Sequence, residues 1–214
     1  MRNFDLSLMY VTDDRITDDV AFFAMLEAAL KGGATIIQLR EKERDTLSFY
    51  QRAMRTKERC ALYDIPLIIN DRLDIALAVD ADGVHIGQQD LPAGVTRKLL
   101  GKDKIIGLSV SNRLQAQEAN ALDVDYIGIS PIFATSTKRE DLELPLGMEG
   151  LRAIRKIYTK AITSIGGVHA GNVAEIMRNG SDGIAVVSAI SKADDPELAT
   201  QQLKEIICQT GFKT

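Results

Sequence analysis

Thr35-Ile36-Ile37-Gln38-Leu39-Arg40, then the helix-like stretch Asp45 to Tyr63, then Leu67-Ile68-Ile69-Asn70-Asp71 read as a strand, a crossover helix and a second strand. Both short runs are apolar until their C-terminal ends, as expected of parallel strands covered on both faces. The same unit recurs along the chain, with further runs at Leu6 to Thr12, Gly83 to Gly87, Lys104 to Val110, Tyr126 to Phe133, Ala161 to Gly167 and Gly183 to Ile190. Apolar spacing near 3.6 predicts helices over Asp19 to Lys31, Arg72 to Val79, Ala93 to Leu100, Asn112 to Leu122, Met148 to Tyr158, Asn172 to Arg178 and Pro196 to Gln209. Eight alternations ask for a parallel sheet closed on itself, because right-handed crossovers then cover every strand and leave no edge. The expected fold is α/β, a single (β/α)8 TIM barrel over 1–214, with its active site at the C-terminal ends of the strands. With 214 residues against the typical ~250, the loops must be brief and no second domain is expected.

Composition narrows the function. The chain is 45% hydrophobic, enough for a sizeable core, but only 5% aromatic with no Trp, which argues against stacking platforms for bases or polysaccharides. A formal net charge of -4 removes the broad positive field that nucleic-acid binding needs, so phosphate recognition must be local and the partner a small anion. No signal peptide or membrane-length apolar run is visible, so a cytoplasmic protein is expected. Cys60 and Cys208 lack metal-ligand spacing and read as free thiols, and with His85 and His169 as the only histidines any metal should be a hard cation held by oxygen.

Strand alternation places the polar residues. Ile37 and Leu39 suit the helix layer, leaving Ile36, Gln38 and Arg40 toward the axis, with Lys42 continuing that parity. Ile106, Leu108 and Val110 likewise suit the helices, leaving Ile105, Gly107 and Ser109 inward, while Ile184, Val186 and Ser188 share one face of the last run.

Four constellations follow. Asp71 ends one run and Asp90 lies in the loop Gly87-Gln88-Gln89-Asp90 after the next, and two carboxylates at one mouth together with ligand phosphates make a Mg2+ site; taken singly, each reads as the N-cap of the following helix. Arg40, Lys42 and Lys138 can neutralise a multiply charged leaving group, although lysines are usually solvated. Thr135-Ser136-Thr137-Lys138 lies in the long stretch Ala134 to Gly147, where three hydroxyls and an ammonium can gather on an anion or form an ordinary turn. Gly166-Gly167, with Val187-Ser188, occupies the place where barrels often bind phosphate. His85, in an apolar strand, reads as a satisfied structural side chain, and His169 as a weak ligand contact.

Taken together, Gln38-Leu39-Arg40-Glu41-Lys42, Ile69-Asn70-Asp71-Arg72, Asp82-Gly83-Val84-His85-Ile86-Gly87-Gln88 with Asp90, Thr135-Ser136-Thr137-Lys138, Ile165-Gly166-Gly167 and Val186-Val187-Ser188-Ala189-Ile190 closely resemble the thiamine phosphate synthase family. The resemblance implies a transferase of thiamine biosynthesis that joins 4-amino-5-hydroxymethyl-2-methylpyrimidine diphosphate to a thiazole phosphate, releasing pyrophosphate and requiring magnesium. It implies Asp71 and Asp90 as metal ligands, and Gln38, Arg40, Lys42, Asn70, Ser109 and Lys138 at the pyrimidine diphosphate, with Arg40, Lys42, Ser109 and Lys138 in the catalytic set. It implies Thr135, Ser136, Thr137, Gly167, Val187 and Ser188 at the thiazole phosphate. The chain departs from the family pattern at Ser130, Ala134, Asp123-Val124-Asp125 and Thr163-Ser164, which bears on loop geometry. The rival readings are a thiazole tautomerase-like isomerase and a noncatalytic thiazole-phosphate binder. No nucleic-acid or membrane partner is expected, and homo-oligomerisation is left open.

Overall fold

The computed structural model describes residues 4–135 and 144–211. Its elements, in chain order, are β1 (Leu8–Val11), α1 (Asp19–Lys31), β2 (Ile36–Leu39), α2 (Thr46–Leu62), β3 (Leu67–Asn70), α3 (Leu73–Ala78), β4 (Gly83–Ile86), α4 (Ala93–Leu100), β5 (Ile105–Val110), α5 (Arg113–Ala119), β6 (Tyr126–Ile129), α6 (Gly147–Arg155), β7 (Ala161–Ser164), α7 (Val173–Arg178), β8 (Gly183–Val186), α8 (Ser188–Ser191) and α9 (Pro196–Gln209). All eight strands pair in parallel and in sequence order, and β8 returns to β1, closing the (β/α)8 TIM barrel. Short polar side chains start several helices: Asp18, Asp45, Asn112 and Asp195 accept from backbone N–H groups three residues on, satisfying donors that a helix N-terminus leaves open.

The core has two layers, as the alternation of each strand requires. Leu8, Ile37, Leu39, Ile69, Ile127 and Ile162 pack between strands and helices, whereas Met9, Val11, Ile36, Ile68, Ile105, Tyr126 and Ala185 fill the barrel interior. Each buried Ile or Leu stabilises the fold by about 1.5–3 kcal/mol. The inward parity read for the second and fifth runs is present: Ile37, Leu39, Ile106, Leu108 and Val110 join the outer layer and Ile36 and Ile105 the inner one.

The last run departs from its reading. Ile184 and Val186 face the helices, but β8 stops at Val186 and Val187 takes φ -113° and ψ -79°, so Ser188 opens α8 and strand parity never reaches it. The runs to Phe133 and Gly167 are also shorter as strands. β6 stops at Ile129, just before Pro131, which has no N–H for the ladder, and β7 stops at Ser164, before the positive-φ Gly166 and Gly167.

Among the described residues, no helix is long and apolar enough to cross a membrane. Cys60, on α2, is 1% exposed, and burial, aided by the charge of Asp82, pushes its thiol up to about 12, whereas Cys208 is exposed. A thiol reagent is therefore expected to titrate one cysteine in the native chain and both in denaturant. Two fast-reacting native thiols would contradict the packing around α2.

Candidate active site

The functional side chains read from sequence converge where β2, β3, β4 and β5 end. Gln38 lies on β2, 5% exposed, with its amide nitrogen 3.2 Å from Met9 Sδ. One step past the strand, the Arg40 N–H donates to Thr12 Oγ1 at 2.9 Å, and its guanidinium Nη1 lies 2.6 Å from Asp14 Oδ2. Two residues further, Lys42 Nζ donates to Asp71 Oδ2 at 2.5 Å. Between the two cations Glu41 points the other way, into the protein, where it accepts from Arg52 Nη1 at 2.7 Å. Alternation thus sends Arg40 and Lys42 to the mouth and Glu41 to a buried anchor.

Asp71 follows β3 with φ +63°, a left-handed backbone that Asp tolerates better than most residues. Asp90 closes its own loop by accepting the Gly87 N–H at 2.6 Å. Neither carboxylate caps a following helix: α3 is capped at Arg72 and α4 at Pro92, both without a side-chain bond, so the capping reading of these aspartates is corrected. Burial pushes the Asp90 carboxyl above its usual range, and the facing Asp71 carboxylate adds to that, against the Gly87 N–H and Lys42. Two apposed carboxylates are a hard-oxygen donor set suited to Mg2+. Among the described residues, no group of three His, Cys, Asp or Glu side chains suits a metal, so a cation here would take its remaining positions from water and ligand oxygens.

Beneath this mouth a polar row crosses the barrel. Register places Asn70 beside His85, His85 beside Gly107 and Gly107 beside Tyr126. A Cβ on Gly107 would stand 2.2 Å from the Tyr126 ring and 2.5 Å from His85 Nδ1, so only glycine lets those two rings meet across β5. His85 Nδ1 then lies 2.9 Å from the Tyr126 hydroxyl and Nε2 lies 2.9 Å from Ser109 Oγ. Burial lowers the His85 pKa to about 4, the charge of Asp71 opposing it, so the imidazole is neutral at pH 7 and has one N–H to donate. Gln38 also hydrogen-bonds the Tyr126 hydroxyl, whose ionisation burial pushes far upward. The row Gln38, Tyr126, His85, Ser109 therefore fixes two of the sequence-selected residues, Gln38 and Ser109, through two that the sequence did not select for the site. Inward parity at Tyr126 was the available signal for it.

On the opposite side of the mouth, Gly166 and Gly167 have φ +98° and +67° and lie against the segment after β6. A Cβ on Gly167 would come within 2.7 Å of Phe133 Cβ and 2.9 Å of the Ala134 carbonyl oxygen. The Ile132 and Phe133 N–H groups donate to the carbonyls of Ile165 and Gly166, so the glycines lie against the stretch Ile132 to Ala134 that leads into Thr135. Asn172 holds the Gly167 carbonyl at 2.9 Å, and His169 bonds within its own loop, to the Gly171 N–H and to Asn172. Val187 caps α8 and Ser188 is its first residue, half-buried at the β8 end. Ser136, Thr137 and Lys138 lie outside the described residues.

Thr163, on the inward face of β7, is 2% exposed and its Oγ1 has no hydrogen-bond partner. Thr163→Val replaces an unsatisfied hydroxyl by a methyl of similar size and is expected to stabilise the chain by about 1 kcal/mol. A rise in the urea midpoint checks this; a lower midpoint would show that the hydroxyl is satisfied in solution.

The chain is similar to known proteins over nearly its whole length. A family model described as thiamine monophosphate synthase matches residues 8–190. The thiamine-phosphate synthase of Chloroflexus aurantiacus is 45% identical over 209 residues, covering 98% of this chain and 96% of that protein. That of Methanobrevibacter smithii is 44% identical over 203 residues, covering 95% and 96%. The solved structure of a thiamine phosphate pyrophosphorylase from Pyrococcus furiosus superposes with a TM-score of 0.86 at 36% identity, covering 96% of this chain and 97% of that one. Because the matches run through every strand of the barrel and across both sides of its mouth, the chain belongs to the thiamine monophosphate synthase family of transferases.

Proposed function

We propose that the chain joins 4-amino-5-hydroxymethyl-2-methylpyrimidine diphosphate to a thiazole phosphate, giving thiamine phosphate and pyrophosphate. The observation that carries this reading is the pairing of cation with carboxylate at neighbouring strand ends, Arg40 with Asp14 and Lys42 with Asp71, beside Asp90. Such a cluster holds fixed positive charge where a diphosphate must sit. In the reaction the methylene C–O bond breaks and its electron pair leaves with pyrophosphate; the thiazole nitrogen uses its own lone pair to form the C–N bond. Neither event needs a protein nucleophile or base, and a neutral His85 tied to Tyr126 and Ser109 is suited to positioning rather than proton transfer.

Arg40 and Lys42 bind the departing charge more strongly than the ground state, while Gln38, Asn70 and Ser109 orient the pyrimidine. Lys138 joins the cations on the sequence reading alone, as Ser136 and Thr137 join Thr135, Gly167, Val187 and Ser188 around the thiazole phosphate. Asp71 and Asp90 are the residues that would hold Mg2+, which when bound supplies charge neutralisation for the leaving group.

The test mixes both phosphorylated substrates with the purified chain and follows both products. Equal formation of thiamine phosphate and pyrophosphate, abolished by EDTA and restored by Mg2+, is expected. A thiazole isomer formed without pyrophosphate release, or binding without turnover, would replace this reading by one of its rivals.

A further inference from the structure

The segment after β1, Thr12-Asp13-Asp14, touches both sides of the mouth. In the closed barrel β1 lies between β2 and β8, so this loop neighbours the ends of both strands. On the β2 side, the Thr12 N–H donates to the Gln38 carbonyl, Thr12 Oγ1 accepts the Arg40 N–H at 2.9 Å, and Asp14 Oδ2 holds Arg40 Nη1 at 2.6 Å. On the β8 side, Asp13 is 5% exposed and accepts from Ser191 Oγ at 2.9 Å, across 178 residues of sequence. Asp13 is itself immobilised by Arg15, whose Nε and Nη2 reach its two oxygens at 2.7 and 2.5 Å. Adjacent carboxylates thus hold two different walls of one site.

We propose that Asp13 and Asp14 are positioning residues that act through different partners: Asp14 fixes the Arg40 guanidinium for the diphosphate substrate, and Asp13, through Ser191, fixes the Ser188–Ser191 turn for the thiazole phosphate. Asp14 engages one guanidinium nitrogen and leaves the others to fork onto phosphate oxygens, so it orients Arg40 without saturating it. Charge alone gives the opposite sign, since Asp14 repels a diphosphate, and the experiment separates the two. This inference rests on the substrate assignment proposed above.

The experiment measures KM for each substrate separately in the intact chain. Asp14→Asn is expected to raise KM for the pyrimidine diphosphate about tenfold while leaving that for the thiazole phosphate within about twofold. Asp13→Asn is expected to do the reverse, and Ser191→Ala, which removes only the donor, supplies the same readout if the buried Asp13 variant does not fold. Asp14→Glu should restore part of the diphosphate affinity. A structural role alone would move both constants together or neither, and either result overturns the proposal, as does a lowered KM for the diphosphate in Asp14→Asn. A wild-type chain that forms no thiamine phosphate would overturn the substrate assignment and this inference with it; an active wild type whose variants show no split would overturn this inference alone.

Discussion

Asp71→Asn is expected to lower the single-turnover rate of thiamine phosphate formation by about 10²–10³-fold, or about 3–4 kcal/mol of transition-state stabilisation. Asparagine keeps the side-chain shape and tolerates the left-handed backbone at φ +63°, so the change isolates the charge. The loss has two sources. Lys42 loses the carboxylate 2.5 Å away that fixes it over the mouth, and the carboxylate pair with Asp90 is reduced to one. Calorimetry supplies a second readout: the Mg2+-dependent binding of pyrophosphate should weaken in parallel, and the melting temperature should stay close to the parent's. A rate within about tenfold of the parent would remove Asp71 from the leaving-group site.

Arg52→Ala is expected to destabilise the chain by about 4 kcal/mol, a fall in Tm on the order of 10 °C. The Arg52 side chain is 1% exposed and all five of its N–H donors are used. Nη1 serves Glu41 and the Ile16 carbonyl, Nη2 the Thr17 carbonyl and Asp19, and Nε Asp19, with the guanidinium 4.1 Å from the Phe22 ring centroid. Truncation leaves the Glu41 carboxylate, 2% exposed in its side chain, with Arg44 as its remaining cation. Burial already holds the Glu41 carboxyl above its usual range despite Arg52, and losing Arg52 pushes it further up. A carboxyl raised in the folded state binds its proton more tightly there than in the unfolded chain, so the variant should regain stability relative to the parent as pH falls through the carboxylate range. Adding Glu41→Gln should recover part of the loss at neutral pH, because it removes the uncompensated charge. Urea unfolding of the two single variants and the double variant checks this; additive losses would contradict the proposed coupling.

The barrel was legible because its strands are apolar runs separated by helices with regular spacing and side-chain caps, and both signals are local. Where local signals failed, the backbone changed state within an apolar run. Gly183 to Ile190 reads as one strand, yet it turns helical at Val187. The carboxylates were placed correctly at neighbouring strand ends, but their partners were not visible: that Lys42 meets Asp71 and Arg40 meets Asp14 depends on the register and tilt of a closed sheet. The His85 and Tyr126 contact needs the side-chain-free row at Gly107, a cross-strand relation that no single strand encodes. Glu41 was hidden between two cations that took the functional reading, although its opposite parity marks it as the member of the three that faces the helix layer.

The most direct test is a crystal structure of the chain grown with pyrophosphate and Mn2+, in which anomalous scattering locates the metal. The expected result is a manganese peak at Asp71 and Asp90 with the pyrophosphate against Arg40 and Lys42. Pyrophosphate bound well away from those two aspartates, with no metal between them, would contradict the proposal that this mouth draws charge out of the pyrimidine substrate.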